Sequence, residues 1–204
     1  DVGFQLGGQM VKRGYLPRAG VEITRSGVTR MRSAALPFPV MNINDGRLKP
    51  AVENRHGVGE ALWQGFTQLT GIHLAGHRVS VLGYGAVGAG VAAYARAGGA
   101  IVEVHERDPV RRLIAHYDGY AVPSEPEMVR RAQVIVSATG ARHALPLAIL
   151  RQCRDGVVVI NAAHGSDEID VEGLRSEAEG MDEVSPHVVR YRARGKQVVV
   201  LAAG

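Results

Sequence analysis

From residue 79 onward, short runs of β-branched residues alternate with stretches whose apolar positions recur at helical spacing. Strands are predicted over 79–83, 101–106, 120–122, 133–137, 157–161 and 197–202, with helices over 86–97, 109–116 and 144–152 between them. This alternation is that of a parallel sheet covered by helices on both faces, an α/β architecture. Just upstream, "GEALWQGFTQLTGI", 59–72, places Leu62, Phe66 and Leu69 on one face, so a helix here packs against the first strand. Residues 1–40 differ: they are rich in glycine and arginine, weakly periodic, and end in the proline-punctuated connector "ALPFPV". They are expected to be the remnant of a second domain and a hinge, with 41–204 forming the nucleotide-type α/β domain.

The chemistry starts where the first strand meets its helix. "VSVLGYGAVGAG" carries Gly83, Gly85 and Gly88 between a strand and a helix of small residues. Glycines at that spacing also mark ordinary turns, but the strand-before, helix-after context gives each a separate task. Gly83 permits the tight turn, Gly85 lets a pyrophosphate approach the backbone, and Gly88 lets helix and strand pack closely. The helix N-terminus offers unpaired N–H groups to phosphates. The next strand ends at Glu106, about 20 residues on, where an acid accepts hydrogen bonds from an adenosine ribose. The set predicts a Rossmann-type, doubly wound dinucleotide site. The charge of Glu106 favours NAD over NADP, although Arg107 and Arg111 argue the other way.

Composition narrows the alternatives. The 204 residues suffice for a sizeable core, no apolar run reaches a membrane-spanning length, and no basic-then-apolar leader opens the chain, so a cytoplasmic protein is expected. The net charge of +4 comes from scattered arginines with few aromatics, which argues against nucleic-acid binding. Cys153 is the only cysteine, excluding a disulfide framework or a cysteine-rich zinc site, and it reads as a small buried hydrophobe. No metal site is expected. The chain opens on Asp1 and stops after "QVVVLAAG", and both ends are expected to be internal to a longer protein.

Three further segments are polar where a ligand crevice would lie. "MNINDGRLKPAVENRHG", 41–57, gathers Asn44, Asp45, Lys49, Glu53 and Asn54, although by composition alone it reads as a solvated interdomain loop. "SATG", 137–140, and "NAAHG", 161–165, follow predicted strands, at the carboxyl end of the sheet where such folds bind ligands.

In order along the chain, "NINDGRLKPAVEN", "GYGAVGAG", "ERDP", "ATG", "NAAH", "SPHVVRYR" and "VLAAG" resemble the motifs of the S-adenosylhomocysteine hydrolase family. The resemblance covers the nucleotide-binding domain and the stretch before it. It implies tightly bound NAD that takes a hydride from C3′ of the adenosyl ribose and later returns it, with elimination of homocysteine and addition of water in between. It implies a small nucleoside substrate and a homo-oligomer. Lys49 then corresponds to a lysine that assists proton transfer near the ribose hydroxyls, and Asn54 to an asparagine beside substrate and nicotinamide. Glu53 stands where the family has aspartate. The cofactor set implied is Thr24, Asn54, Gly83, Gly85, Val87, Gly88, Glu106, Thr139, Gly140 and His164.

The chain departs from the family pattern upstream. In "GVEITRSGVTRM", 20–31, Glu22 and Thr24 match, while Ile23 replaces a glutamate and Arg25 and Ser26 replace threonines. Val2 replaces an aspartate if "DVGFQL" aligns with the family's acidic stretch. Ala162 and Ala163 replace the residues before His164. Two functions from different classes therefore stand side by side: an adenosylhomocysteinase-like NAD enzyme, and an NAD-binding regulatory homologue that has lost hydrolysis. A 2-hydroxyacid or amino-acid dehydrogenase would want an arginine clamp and a His–acid pair, which the strand ends do not supply.

Overall fold

In a computed structural model of the chain, residues 1–34, 36–165 and 167–202 are described, and the chain divides into two compact units, Asp1–Asn54 and Arg55–Gly204. Ala35 of the "ALPFPV" connector and the last two residues of "VLAAG" lie outside the described residues.

The first unit is more regular than its weak periodicity suggests. It holds α1 (Gln5–Lys12), β1 (Gly20–Glu22), α2 (Arg25–Arg32) and β2 (Val40–Asn42). β1 and β2 pair in parallel, with Gly20 opposite Val40 and Glu22 opposite Asn42. Three-residue strands and a helix that buries only Gly27 and Val28 leave too few apolar positions for a period to be read. The polar run 49–57 is a π-helix, Lys49–Gly57, that leads directly into α3 (Val58–Thr70).

In the second unit β3 (Arg78–Leu82), β4 (Ile101–His105), β5 (Val134–Ser137), β6 (Val157–Asn161), β7 (Gly180–Ser185), β8 (Val188–Ala193) and β9 (Lys196–Leu201) form one sheet in the order β4-β3-β5-β6-β9-β8-β7. Five strands are parallel, and β8 and β7 are added antiparallel beyond β9. α4 (Ala86–Ala97), α5 (Pro109–Tyr117), α6 (Glu125–Arg131), α7 (Leu147–Leu150) and α8 (Val171–Glu177) complete it. The alternation of side chains along each strand divides the core in two. Val79, Val81, Val136 and Ile160 pack with Trp63, Phe66 and Val91 from α3 and α4, whereas Ile135, Val157 and Val159 pack with Met128, Leu150 and Leu174 from α6, α7 and α8. The sheet is thus covered on both faces, a Rossmann-like dinucleotide-binding fold.

Small residues let α3 and α4 meet backbone to backbone. A Cβ on Gly90 would overlap the Arg55 carbonyl oxygen, and one on Gly59 would lie 2.9 Å from Gly90. The Trp63 indole N–H donates to the Val91 carbonyl at 2.9 Å.

Four expectations from the sequence change. Residues 120–122 are not a strand; only Ala121 bridges to Glu103 at the sheet edge. The helix expected over 144–152 shrinks to Leu147–Leu150, because Pro146 stands at its N-cap and Leu145 before it is extended, bridging Ile169. α6 was not expected, although Ser124 and Glu127 form a capping box and Pro126 sits in its first turn. The β7–β8 hairpin was not expected either; it turns on Pro186 and His187, with His187 at φ 66°.

Candidate cofactor-binding and active site

The strand order reverses at β3, which has β4 on one side and β5 on the other, and the glycine turn sits at the carboxyl end of that strand. Such a switch point opens a crevice between neighbouring loops. Gly83 has φ 94°, a left-handed conformation that favours glycine, and a Cβ on it would lie 2.7 Å from the Ala138 carbonyl oxygen after β5. Gly88 is packed against the same turn: its Cβ would overlap the Gly83 carbonyl oxygen. Gly85 is different. Apart from its chain neighbours, a Cβ there would meet nothing among the described residues within 4 Å except Arg111 Nη1 at 3.7 Å. Gly85 is also the N-cap of α4, and no side chain caps that helix, so its first N–H groups are free for an anion. Val87, in the first turn, is half-buried against the core.

Glu106 is buried, 9 % exposed, and both its oxygens are engaged. Oε2 accepts the Tyr84 N–H at 2.7 Å and Oε1 the Asp108 N–H at 2.9 Å. One carboxylate therefore ties the glycine turn to the start of α5, where Asp108 in turn caps the N–H groups of Val110 and Arg111. Lone pairs remain on both oxygens, since an ionised carboxylate has about four acceptor sites. The Tyr84 hydroxyl donates to Asp118 at 2.7 Å, and burial first, then that acceptor, pushes the phenol above its ordinary value. Arg96 lies over the Tyr120 ring and donates to the Asp118 carbonyl.

The turn after β5 is shaped by Glu168, a fully buried carboxylate from a loop 28 residues away in sequence. It accepts from the Ser137 hydroxyl, the Thr139 N–H at 3.1 Å, the Thr139 hydroxyl at 3.0 Å and the Gly140 N–H. The Thr139 hydroxyl accepts in addition from the Ala141 N–H. Gly140, at φ 71°, and Thr139 are exposed on this turn. After β6, Asn161 shapes the next loop by accepting from the Ala163 N–H at 2.9 Å and donating to the Gly165 carbonyl, which leaves His164 exposed. Cys153 is buried elsewhere, and burial pushes its thiol up to about 12, so it is inert near neutrality.

The first unit carries the other candidates. Lys49 Nζ donates to Glu53 across one turn of the π-helix, with the Lys49 side chain mostly buried and Glu53 half-exposed; Asn54 follows on the same turn. An i→i+5 helix brings residues four and five apart to one side, and such turns often occur at functional sites. Upstream, Asp45 gathers the side chains of Asn42, Asn44 and Arg32, and its carboxyl is held below the usual range first by the Asn44 and Asn42 amides.

Thr24 and Glu22 are occupied internally. The Thr24 hydroxyl donates to Glu22 at 2.7 Å and accepts the N–H groups of Gly3 and Gly27. Glu22, fully buried, also accepts from the Phe4 and Thr24 N–H groups. The unit's apolar hollow, about 200 Å³ and lined by Phe4, Met10, Pro17, Phe38 and Val40 among others, carries none of the candidate catalytic side chains.

The sequence profile of the S-adenosyl-L-homocysteine hydrolase NAD-binding domain matches residues 54–204. The chain belongs to this family. Adenosylhomocysteinase of Pyrobaculum aerophilum is 36% identical over 193 residues, covering 92% of this chain and 44% of its own length. The S-inosyl-L-homocysteine hydrolase of Methanosarcina acetivorans is 36% identical over 189 residues, 91% of this chain and 46% of its own. Adenosylhomocysteinase of Archaeoglobus fulgidus is 34% identical over 208 residues, 100% of this chain and 51% of its own. The chain spans about half the length of the curated relatives it matches. Among solved structures, a dipicolinate synthase from Bacillus halodurans superimposes with a TM-score of 0.64 at 21% identity, covering 78% of this chain and 55% of its own. That likeness shows the fold alone.

As a member of the S-adenosylhomocysteine hydrolase family, the chain has NAD as its cofactor. Sequence reading of this family member missed Glu168, the buried staple of the β5 turn. The signal was "DEID", where an acid sits beside apolar residues, but its partners are too far away in sequence for a local pattern to reveal. No helix among the described residues is long and apolar enough to cross a membrane, and no group of three or more His, Cys, Asp or Glu among them is placed to hold a metal ion.

Proposed function

We propose that this chain carries the NAD-binding part, and a portion of the catalytic part, of a hydrolase that cleaves a nucleoside thioether of homocysteine, either S-adenosylhomocysteine or its inosyl counterpart. The observation that carries the reading is the extent of the likeness. Relatives at 34–36% identity align over 91–100% of the chain, beyond the dinucleotide-binding unit and into the unit that holds Lys49, Glu53 and Asn54. A generic dinucleotide fold would match only from β3 onward.

The residues fit the cofactor. Gly85 leaves its surroundings open, α4 lacks a side-chain cap, and the buried Glu106 carboxylate keeps acceptor capacity. Gly83, Gly85, Val87, Gly88, Glu106, Thr139, Gly140 and His164 of the second unit would hold NAD. When bound, NAD supplies a reversible oxidation at the ribose 3′ carbon. The protein's own part is to hold the nucleoside and move protons. The Lys49 ammonium is kept in one place by Glu53 and serves a ribose hydroxyl. The Asn54 amide, with both donors and an acceptor, orients the sugar.

A second reading, an NAD-binding homologue without hydrolysis, is favoured by Ile23, which replaces a carboxylate, and by the internal use of Glu22 and Thr24. One experiment separates the two. The full-length protein, incubated in turn with S-adenosylhomocysteine and S-inosylhomocysteine, is expected to release homocysteine from one of them with a transient NADH absorbance. Lys49→Ala is expected to lower that turnover by roughly 10²–10⁴-fold. Tight NAD binding with neither homocysteine nor NADH absorbance would establish the binding protein instead.

A further inference from the structure

We propose that Glu168 is a positioning residue for the nicotinamide half of the dinucleotide, and that its buried negative charge favours the oxidised, cationic ring over the reduced, neutral one. The inference rests on the dinucleotide reading and adds to it a residue that lies outside the glycine turn and the exposed strand-end loops. β3 has β4 on one side and β5 on the other. With a diphosphate at the glycine turn after β3 and a ribose at Glu106 after β4, the second nucleoside extends toward β5, where Thr139 and Gly140 are exposed.

Glu168 lies behind that turn, 1 % exposed. The Ser137 hydroxyl, the Thr139 N–H and hydroxyl and the Gly140 N–H all donate to its carboxylate. The Thr139 hydroxyl thereby commits its only proton, and neither N–H is left to receive an anion. Backbone bonds fix the segment that carries the acid: the His143 N–H donates to the Asp167 carbonyl at 2.7 Å and the Leu145 N–H to the Glu168 carbonyl at 2.9 Å. The charge is also uncancelled. Asp167 faces Arg142 at 3.6 Å, whereas Glu168 has no ion-pair partner among the described residues. A buried charge is little screened by salt, so it acts on whatever group is laid over the turn. An oxidised nicotinamide ring is cationic and a reduced one is not, while the rest of the dinucleotide is the same, so the two forms respond differently to this field.

The test is calorimetry on the full chain with NAD⁺, NADH and deamido-NAD⁺, in which a carboxylate replaces the carboxamide. The unaltered chain is expected to bind deamido-NAD⁺ roughly tenfold more weakly than NAD⁺, because that carboxylate meets the charge of Glu168. Glu168→Gln is expected to weaken NAD⁺ roughly tenfold relative to NADH, which is about 30 mV in the potential of the bound two-electron couple, and to shrink the preference over deamido-NAD⁺. Glu168→Asp keeps the charge on a shorter stem, so NAD⁺ and NADH should weaken together and their ratio stay that of the unaltered chain. An equal loss of NAD⁺ and NADH affinity in Glu168→Gln overturns the proposal, since the acid would then be a structural tie only. Equal affinity of the unaltered chain for NAD⁺ and deamido-NAD⁺ overturns it as well, and that measurement needs no variant to fold. Absence of binding of all three by the unaltered chain would overturn the dinucleotide reading itself, and the role of Glu168 with it.

Discussion

Gly85 and Gly88 stand three residues apart in one turn, and the physical demands on them are opposite. At Gly88 a methyl group would be driven into the Gly83 carbonyl, and neither backbone can yield without opening the turn. Gly85 has φ −80° and open space around it, so its backbone accepts an alanine. Gly88→Ala is accordingly expected to cost about 1–3 kcal/mol in urea unfolding, the usual penalty for overpacking, whereas Gly85→Ala should leave stability nearly unchanged and reduce NAD affinity. Equal stability of the two variants would show that the turn is softer than its contacts imply. Both glycines were legible in the sequence because a strand, three glycines and a small-residue helix form a local pattern. Glu106 was legible by position, but its two backbone partners were not.

Between elements, buried carboxylates do the joining. Glu22 lies at the end of β1 and gathers N–H groups from Phe4, before α1, and from Thr24, the N-cap of α2. A methyl on Gly27 would collide with that carboxylate, so the start of α2 is built around it. Burial raises the Glu22 pKa, but the hydrogen bonds from Thr24 and Phe4 outweigh it and hold the group below its ordinary value of 4.5. The folded state thus binds its proton less readily than the unfolded chain does. This stabilisation is present above the ordinary value and is lost as pH falls through the lowered one. Acid titration followed by circular dichroism should show the first unit losing structure below about pH 4.5. Glu22→Gln should flatten that dependence while lowering stability at neutral pH by about 1–3 kcal/mol, because an amide N–H₂ would face a backbone donor. A variant with the original acid sensitivity would transfer the effect to another group. The same kind of tie, from Glu168 to the turn after β5, holds Ser137, Thr139 and Gly140. Neither tie has a sequence signature, because each depends on chain segments brought together only by the fold.

For the molecule as a whole, both hydrophobic clusters are drawn from residues 62–201, all in the second unit. The first unit buries little apolar surface, with Val28 and Phe38 its buried hydrophobic side chains among the described residues. A fragment of residues 55–204 is therefore expected to fold alone, with a cooperative urea transition, whereas residues 1–54 alone should remain unfolded, since so short a chain seldom buries enough. A 55–204 fragment without a cooperative transition would contradict this division. The sequence by itself determined the parallel strands, α3 and α4 and the glycine turn, because each is written in neighbouring residues whose period matches one local geometry. It also determined the family, through the order of its motifs. Tertiary structure alone decided that β8 and β7 extend the sheet antiparallel beyond β9, that Ala121 only bridges the sheet edge, and that Glu106 and Glu168 each tie down a turn at the carboxyl end of the sheet. Some of those contacts join groups far apart in sequence, 22 residues from Tyr84 to Glu106 and 28 from Gly140 to Glu168, and a carboxylate acquires its task only when the fold chooses its partner.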